Sequence, residues 1–193
     1  MAVASSEPQP RERGMRADAR RNHDRILEAA RLAFSEEGAG VQMDAVARRG
    51  GVGVGTLYRH FPTKEALIRE LARHLAEGCA RDAEAALEIP DPWESIVWLV
   101  QRNAESMALN VGLRDTFASV RLQDDCPFEA AALEGGVAAV LLRAQEAGVL
   151  RGDLTADDFQ ALMCGLSATI ERGADWRRHA GILLDGLRAR AAA

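Results

Sequence analysis

The sequence is short of several kinds of residue, and each shortage argues against a class of function. Aromatic residues make up only 5% of its 193 positions. No long alternating run of Val, Ile and Thr appears either, so no β-sheet is expected. The three cysteines, Cys79, Cys126 and Cys164, are odd in number and lack a CxxC spacing. That pattern suits reduced thiols, not a disulfide framework or a zinc site. His23, His60, His74 and His179 are scattered, with no HxxxH or HExxH pair to grip a metal. A GxSxG elbow and a phosphate-cradling glycine loop are both missing, so neither a catalytic centre nor a cofactor is expected. No apolar run approaches the roughly 18 residues needed to cross a membrane, and the N-terminus has no signal-peptide core. The expectation is a cytoplasmic protein without a membrane partner.

What is present favours helices. Apolar residues are 48% of the chain, and Ala, Leu, Arg and Glu dominate, so an all-α fold with a substantial core is expected. The net charge of −5 is unevenly placed. Residues 1–75 hold 13 basic and 10 acidic residues, a net of +3, while the remainder holds 11 and 19, a net of −8. A basic front and an acidic back suit a chain that presents one end to phosphates.

The stretch from Val41 to Leu67 organises the rest. Met43, Val46 and Ala47 fall at i, i+3 and i+4 and predict one apolar face of a short helix. Gly50 and Gly51 stop it, Val52 anchors the turn, and a second short helix opens at Gly53-Val54-Gly55. Leu57 and Phe61, four apart, point inward, which leaves Thr56, Arg59 and His60 to face outward. Helix, glycine-bearing turn, helix is the helix-turn-helix pattern, whose second helix enters the DNA major groove.

The continuation Thr56-Leu57-Tyr58-Arg59-His60-Phe61-Pro62-Thr63-Lys64-Glu65-Ala66-Leu67 resembles the tetracycline-repressor (TetR-type) family of bacterial transcriptional regulators. The resemblance covers roughly residues 20 to 70. Gln42 and Gly53 depart from it, standing where the family usually has a threonine and often a serine as helix caps. The resemblance implies a two-part helical protein of about nine helices: a three-helix DNA-binding domain and a larger domain that binds a ligand and dimerises. It implies backbone contacts from Lys64, Tyr58 and His60, with Thr56 helping. Its base-reading positions map to Val54, Gly55 and Asp44, with Gln42 nearby. Lys64 is the chain's single lysine beside 23 arginines. It falls in a helix's first turn, where the dipole disfavours a cation and favours a phosphate.

The expected organisation is a disordered basic arm over 1–16, a helix-turn-helix domain over 17–65 and a helical regulatory domain over 66–193. A long connecting helix over 63–87 links the two domains. Arg11, Arg13, Arg16, Arg20 and Arg21 leave two readings open, a minor-groove arm or a solvated tail. The first helix is expected over 17–37. Asp91-Pro92-Trp93-Glu94 starts a helix that runs to Leu109, Leu113 to Leu122 form a shorter one, and Pro127 opens another that contains Gly135-Gly136 and ends at Gly148. Thr155 and Asp175 cap the last two helices. Trp93, Trp98, Asn103, Met107, Phe117, Phe128 and Met163 are candidates for a pocket lining, with plain core as the alternative. Phe159, Gly165, Ile170, Leu183, Leu184 and Leu187 are candidates for the dimer interface. The expected function is a dimeric repressor released from a double-stranded DNA operator by a small-molecule effector. A regulator controlled by a partner protein, or by nothing, is the alternative, and an enzyme a distant third.

Overall fold

The computed structural model describes residues 10–113, 116–117 and 135–189. Among them are eight α-helices and no strand, only an isolated bridge between Leu150 and Arg188. The first helix, α1 (Pro10–Glu37), begins seven residues earlier than expected. Proline is well placed at such a start because the first turn has no use for its missing N–H. The helix ends at Gly38, whose φ of +66° suits glycine. A 3₁₀ turn (Gly38–Gly40) leads to α2 (Met43–Arg49), α3 (Val54–His60) and α4 (Lys64–Leu87). Then come α5 (Pro92–Leu109), α6 (Gly136–Glu146), α7 (Ala156–Glu171) and α8 (Trp176–Leu187). The expected helix at 113–122 and the start at Pro127 fall largely outside the described residues, as do Cys126 and Phe128.

The caps behave as the sequence suggests. Thr63 accepts from the Ala66 N–H at 3.1 Å, and Asp91 accepts from Trp93 and Glu94 at 2.8 and 3.0 Å. Thr155 and Asp158 form a reciprocal capping box, and Asp175 caps α8. The glycine pair before α6 differs from expectation. Gly135, at φ +114°, precedes the helix instead of lying within it. Gly136 is needed for space, since a Cβ there would sit 2.9 Å from Cβ of Ala83 on α4.

Two apolar cores divide the molecule. The head core joins Ile26, Leu27, Ala30 and Phe34 of α1 to Val46, Leu57, Phe61 and the upper part of α4, Leu67, Ile68 and Leu71. The body core gathers α5 to α8 around Ile96, Leu99, Val140, Phe159, Leu166 and Leu184, with Ala83 and Ala86 from the lower part of α4. So α4 belongs to both halves, and the boundary drawn at residue 65 cuts above three residues that the head core uses. Cys79, midway along α4, is half-buried, and its desolvated thiol is pushed up to about 11.

The two halves also touch directly. Leu113, beyond the end of α5, is 1% exposed in the head core, and Phe117 packs beside it. Gly112 allows this approach, because a Cβ there would lie 2.3 Å from the Ser35 carbonyl oxygen. Arg31 of α1 pairs with Glu28 through two bonds at 2.7 and 2.8 Å and donates to Oδ1 of Asn110 at 3.1 Å. At the far end of α4, the Arg143 guanidinium donates to the carbonyls of Leu87 and Ile89 at 2.5 and 2.8 Å. The Leu87 carbonyl is one of the orphan acceptors that a helix C-terminus leaves exposed, and Ile89 lies just beyond the cap.

Candidate nucleic-acid interface

The α2–turn–α3 unit is fixed from beneath. Met43, Val46 and Ala47 are buried, as are Leu57 and Phe61, on the predicted faces. Of the two turn glycines, Gly51 supplies the left-handed backbone, at φ +59°. Gly50 supplies close packing, with a virtual Cβ 3.4 Å from both Ala29 and the Arg25 carbonyl. Arg25 Nη2 donates to the Gly51 carbonyl at 3.1 Å, so α1 holds the turn. The arrangement leaves one face of α3 uncovered. Val54 at its first position is 40% exposed and Tyr58 44%, which are large values for apolar and aromatic side chains on so short a helix. Gly55 is open, with nothing within 4 Å of a virtual Cβ.

Beside that face lies a notch of about 440 Å³, lined by Gln42, Met43, Asp44, Tyr58 and Lys64. It brings four of the eight expected contact residues together, although they come from three helices and the preceding turn. Gln42 caps no N–H of α2 and instead donates to the Gly40 carbonyl at 3.2 Å. The first-turn N–H groups of α2 therefore lack a side-chain cap, as those of α3 do behind Gly53. Lys64 is half-buried; its ammonium donates to the Ala39 carbonyl and lies 5.7 Å from the centre of the Phe34 ring. An ammonium has three donors, so this anchor leaves others for an anion.

The outward-facing residues of α3 are not equally open. His60 and Thr56 do not stand clear of the protein; both are half-buried. The His60 ring meets the His23 ring of α1 edge-on at 6.1 Å and lies 6.2 Å from Phe61. His23 in turn bonds Glu70 of α4 at 3.1 Å. Glu70's carboxyl is held below the usual carboxylate range mainly by Arg73, with His23 contributing. Arg59, left out of the expected contact set, is exposed and folds back along α3. Its Nε donates to the Gly55 carbonyl at 3.1 Å and its Nη2 to Thr56 Oγ1 at 3.3 Å. That places a guanidinium beside Gly55 and Thr56, where the sequence shows no arginine at the helix entry. One helical turn separates residues 55 and 59, and this spacing was the available signal.

Of the expected pocket residues of the regulatory half, Trp93, Trp98, Met107 and Met163 lie in or against the body core. Trp93 and Met163 are buried in the body core, with Arg188 stacked 4.1 Å over the Trp93 ring. Phe117 packs on the head core and does not join them. Trp98, Asn103 and Met107 lie half-buried on α5, and Phe128 is outside the described residues. Of the expected interface set, Phe159, Leu184 and Leu187 are 3%, 8% and 2% exposed, closed into the protomer's own core. Leu183 and Ile170 are half-buried, and Gly165 is exposed. The uncovered apolar groups on these helices are Leu162 at 39% and Ile182 at 56%, next to exposed Ala161, Gly165 and Gly181.

Comparison with known proteins agrees with this architecture. A profile described as the C-terminal domain of SbtR-like transcriptional regulators matches residues 91–189, a little over half of the chain. The structure of a TetR transcription regulatory protein from Mycobacterium vanbaalenii has a TM-score of 0.72 and 35% identity, over 90% of this chain and 99% of that one. A TetR transcriptional regulator from Streptomyces coelicolor gives 0.71 and 32%, over 88% and 99%. An HTH-type transcriptional regulator of Staphylococcus aureus (strain USA300) is 48% identical over 54 residues, and the match spans 28% of this chain and 29% of that relative. With residues 26–71 matching the profile of bacterial regulatory proteins of the tetR family, and both halves folded as its members are, the chain belongs to that family.

Proposed function

We propose that the protein is a dimeric transcriptional repressor that binds an operator through α3 and releases it when a small molecule binds. The observation that carries the reading is the uncovered face of α3, where Val54, Tyr58 and Arg59 lie exposed and Tyr58 also lines the Lys64 notch. Val54 is placed to meet a thymine methyl, and Arg59 to donate to a guanine edge or a phosphate. Asp44 in the first turn of α2 is the acceptor available for a cytosine amino group. Lys64, Tyr58 and the uncapped N-terminus of α2 are suited to backbone phosphates, with Thr56 and His60 as supports at the flanks.

A single head of this size makes few contacts, and helix-turn-helix proteins bind as two-fold pairs with recognition helices about 34 Å apart. The exposed surface of α7 and α8 supplies a face for the second copy: Leu162 and Ile182 protrude, and Gly165 and Gly181 let backbones approach. Two such helix pairs make a four-helix interface about a two-fold axis. The effector reading rests on α4 serving both cores, so that a change in the body core reaches the head. The test is fluorescence anisotropy with the promoter DNA beside the protein's own gene. A sequence-dependent, salt-sensitive affinity is expected, and equal affinity for that DNA and a scrambled duplex would overturn the reading.

A further inference from the structure

A cleft where α1, α4 and α5 meet lies outside the surface assigned to DNA and away from the aromatic residues of α5. Its volume is about 340 Å³, within the range of about 300–1,000 Å³ typical of small-molecule sites. Its floor is apolar, with Leu27 and Leu71 buried and Leu75 half-buried. Its ends carry charge. Glu28 of α1 faces His74, with Asp24 one turn before it on α1, and Asp82, Arg102 and Arg81 line the cleft further along α4. Glu28 is matched by Arg31, and Asp82 by Arg102 at 3.2 Å. That leaves Asp24, with only the His23 ring 3.6 Å away, as the surplus acid at one end. Arg81, with no carboxylate partner among the described residues, is the surplus base at the other. His74 and Asp82 are eight residues apart on α4, about 12 Å along its axis, and Arg81 reaches back between them, its Nη2 3.8 Å from the Cβ position of Gly78.

A second observation points to the same place. Gly78 is in the interior of α4, where glycine weakens a helix, yet no packing requires it. A Cβ there would meet only Arg81 Nη2, at an ordinary 3.8 Å, and the backbone is not left-handed. Its missing side chain keeps the cleft open between the charged ends. The walls also belong to different halves, α1 to the head and α5 to the body, and the Arg31–Asn110 bond spans them.

We propose that this cleft binds a small elongated zwitterion, its carboxylate on Arg81 and Arg102 and its ammonium on Asp24 and Glu28, and that occupancy resets α1 against α5 and weakens operator binding. Only the last clause rests on the DNA-binding reading. The probe is 8-aminooctanoate, titrated calorimetrically into the full chain, with octanoate and octylamine as single-charge comparisons. The zwitterion should bind roughly tenfold tighter than either. Arg81→Gln should remove its advantage over octylamine, and Asp24→Asn its advantage over octanoate. Gly78→Trp should block all three probes, while Gly78→Ala, melting no lower than the parent, shows that position 78 tolerates a side chain. Absence of zwitterion binding at millimolar concentration, or binding unchanged by both charge variants, would overturn the site. Operator affinity is then measured with and without the probe, and a fall of roughly five- to 150-fold is expected. Probe binding with unchanged operator affinity overturns the regulatory claim. A chain that takes up the probe but binds no operator even without it would sink the DNA-binding reading and leave the site standing.

Discussion

Lys64 is placed to do two jobs at the residue scale. Its ammonium ties the start of α4 to the turn between α1 and α2 and also lines the notch beside α3. Lys64→Ala should weaken specific and non-specific DNA alike and lower the salt slope by about one for each protomer bound. Tyr58→Phe should weaken both without changing the slope. An unchanged slope for Lys64→Ala, read from anisotropy titrations over a range of salt, would leave the residue its anchoring job alone. Arg59 is the sharper case. Because its guanidinium lies beside Gly55 and Thr56, Arg59→Ala should cost about 1–3 kcal/mol at the operator if it reads a base. Equal losses on operator and scrambled DNA would assign it to the backbone instead. Gly51 and Gly55 behave oppositely. Gly51→Ala forces a left-handed alanine and pushes its Cβ to 2.5 Å from Arg25 Nη2, so it should destabilise by about 1–2 kcal/mol. Gly55→Ala meets open space and should stabilise by about 0.5–1 kcal/mol, with denaturant melts giving both signs.

At the scale of elements, α2 and α3 have seven residues each, well below the length at which a helix holds in isolation. They persist because Val46, Ala47 and Leu57 are sealed into the head core. Longer elements depend on their ends. Arg143 serves three carbonyls at the end of α4, counting a 3.4 Å contact to Ala86, which also accepts from Ser95 Oγ at 2.6 Å. Arg143→Met keeps much of the stem but strands the Leu87 and Ile89 acceptors, and should cost roughly 1–3 kcal/mol. Gly136→Val should cost about the same by overpacking, because Ala83 occupies the space its side chain needs. Thermal unfolding of the two variants checks both values. Little change in either would mean that α6 shifts freely along α4.

For the whole molecule, burial separates the proposed dimer face from the core. Leu184 is 8% exposed and Ile182 56%. Ile182→Arg should therefore leave a folded monomer with nearly unchanged helicity, while Leu184→Asp should unfold the chain by burying an unpaired charge. Light scattering coupled to size exclusion reads the mass, and circular dichroism the fold. A folded Ile182→Arg protein that remains dimeric would move the interface off α8. The salt slope of the monomer should be about half that of the dimer, since half of the phosphate contacts are lost.

The sequence by itself determined what depends on neighbours along the chain. The apolar periods of α4 and α5, the caps Thr63, Asp91, Thr155 and Asp175, and the stops at Gly38, Gly148 and Gly173 all carry local signals. The inward pair Leu57 and Phe61 is legible for the same reason, and with it the face that α3 presents. Proline at position 10 looked like part of an arm because residues 1–16 carry no apolar stripe, yet α1 starts there. Tertiary structure alone decided the rest. Whether a leucine on α8 faces its own core or a partner depends on where α5 and α7 lie, and periodicity does not state this. The same holds for His60, whose ring meets His23 of α1, itself bonded to Glu70 of α4. It holds for Gly136, Gly112 and Gly78 as well. In sequence each is a glycine where none is needed; in space the first two allow close approach to Ala83 and Ser35, and the third keeps a cleft open. Helix period and capping are encoded within a few residues, while contacts between segments separated along the chain exist only once the helices have packed.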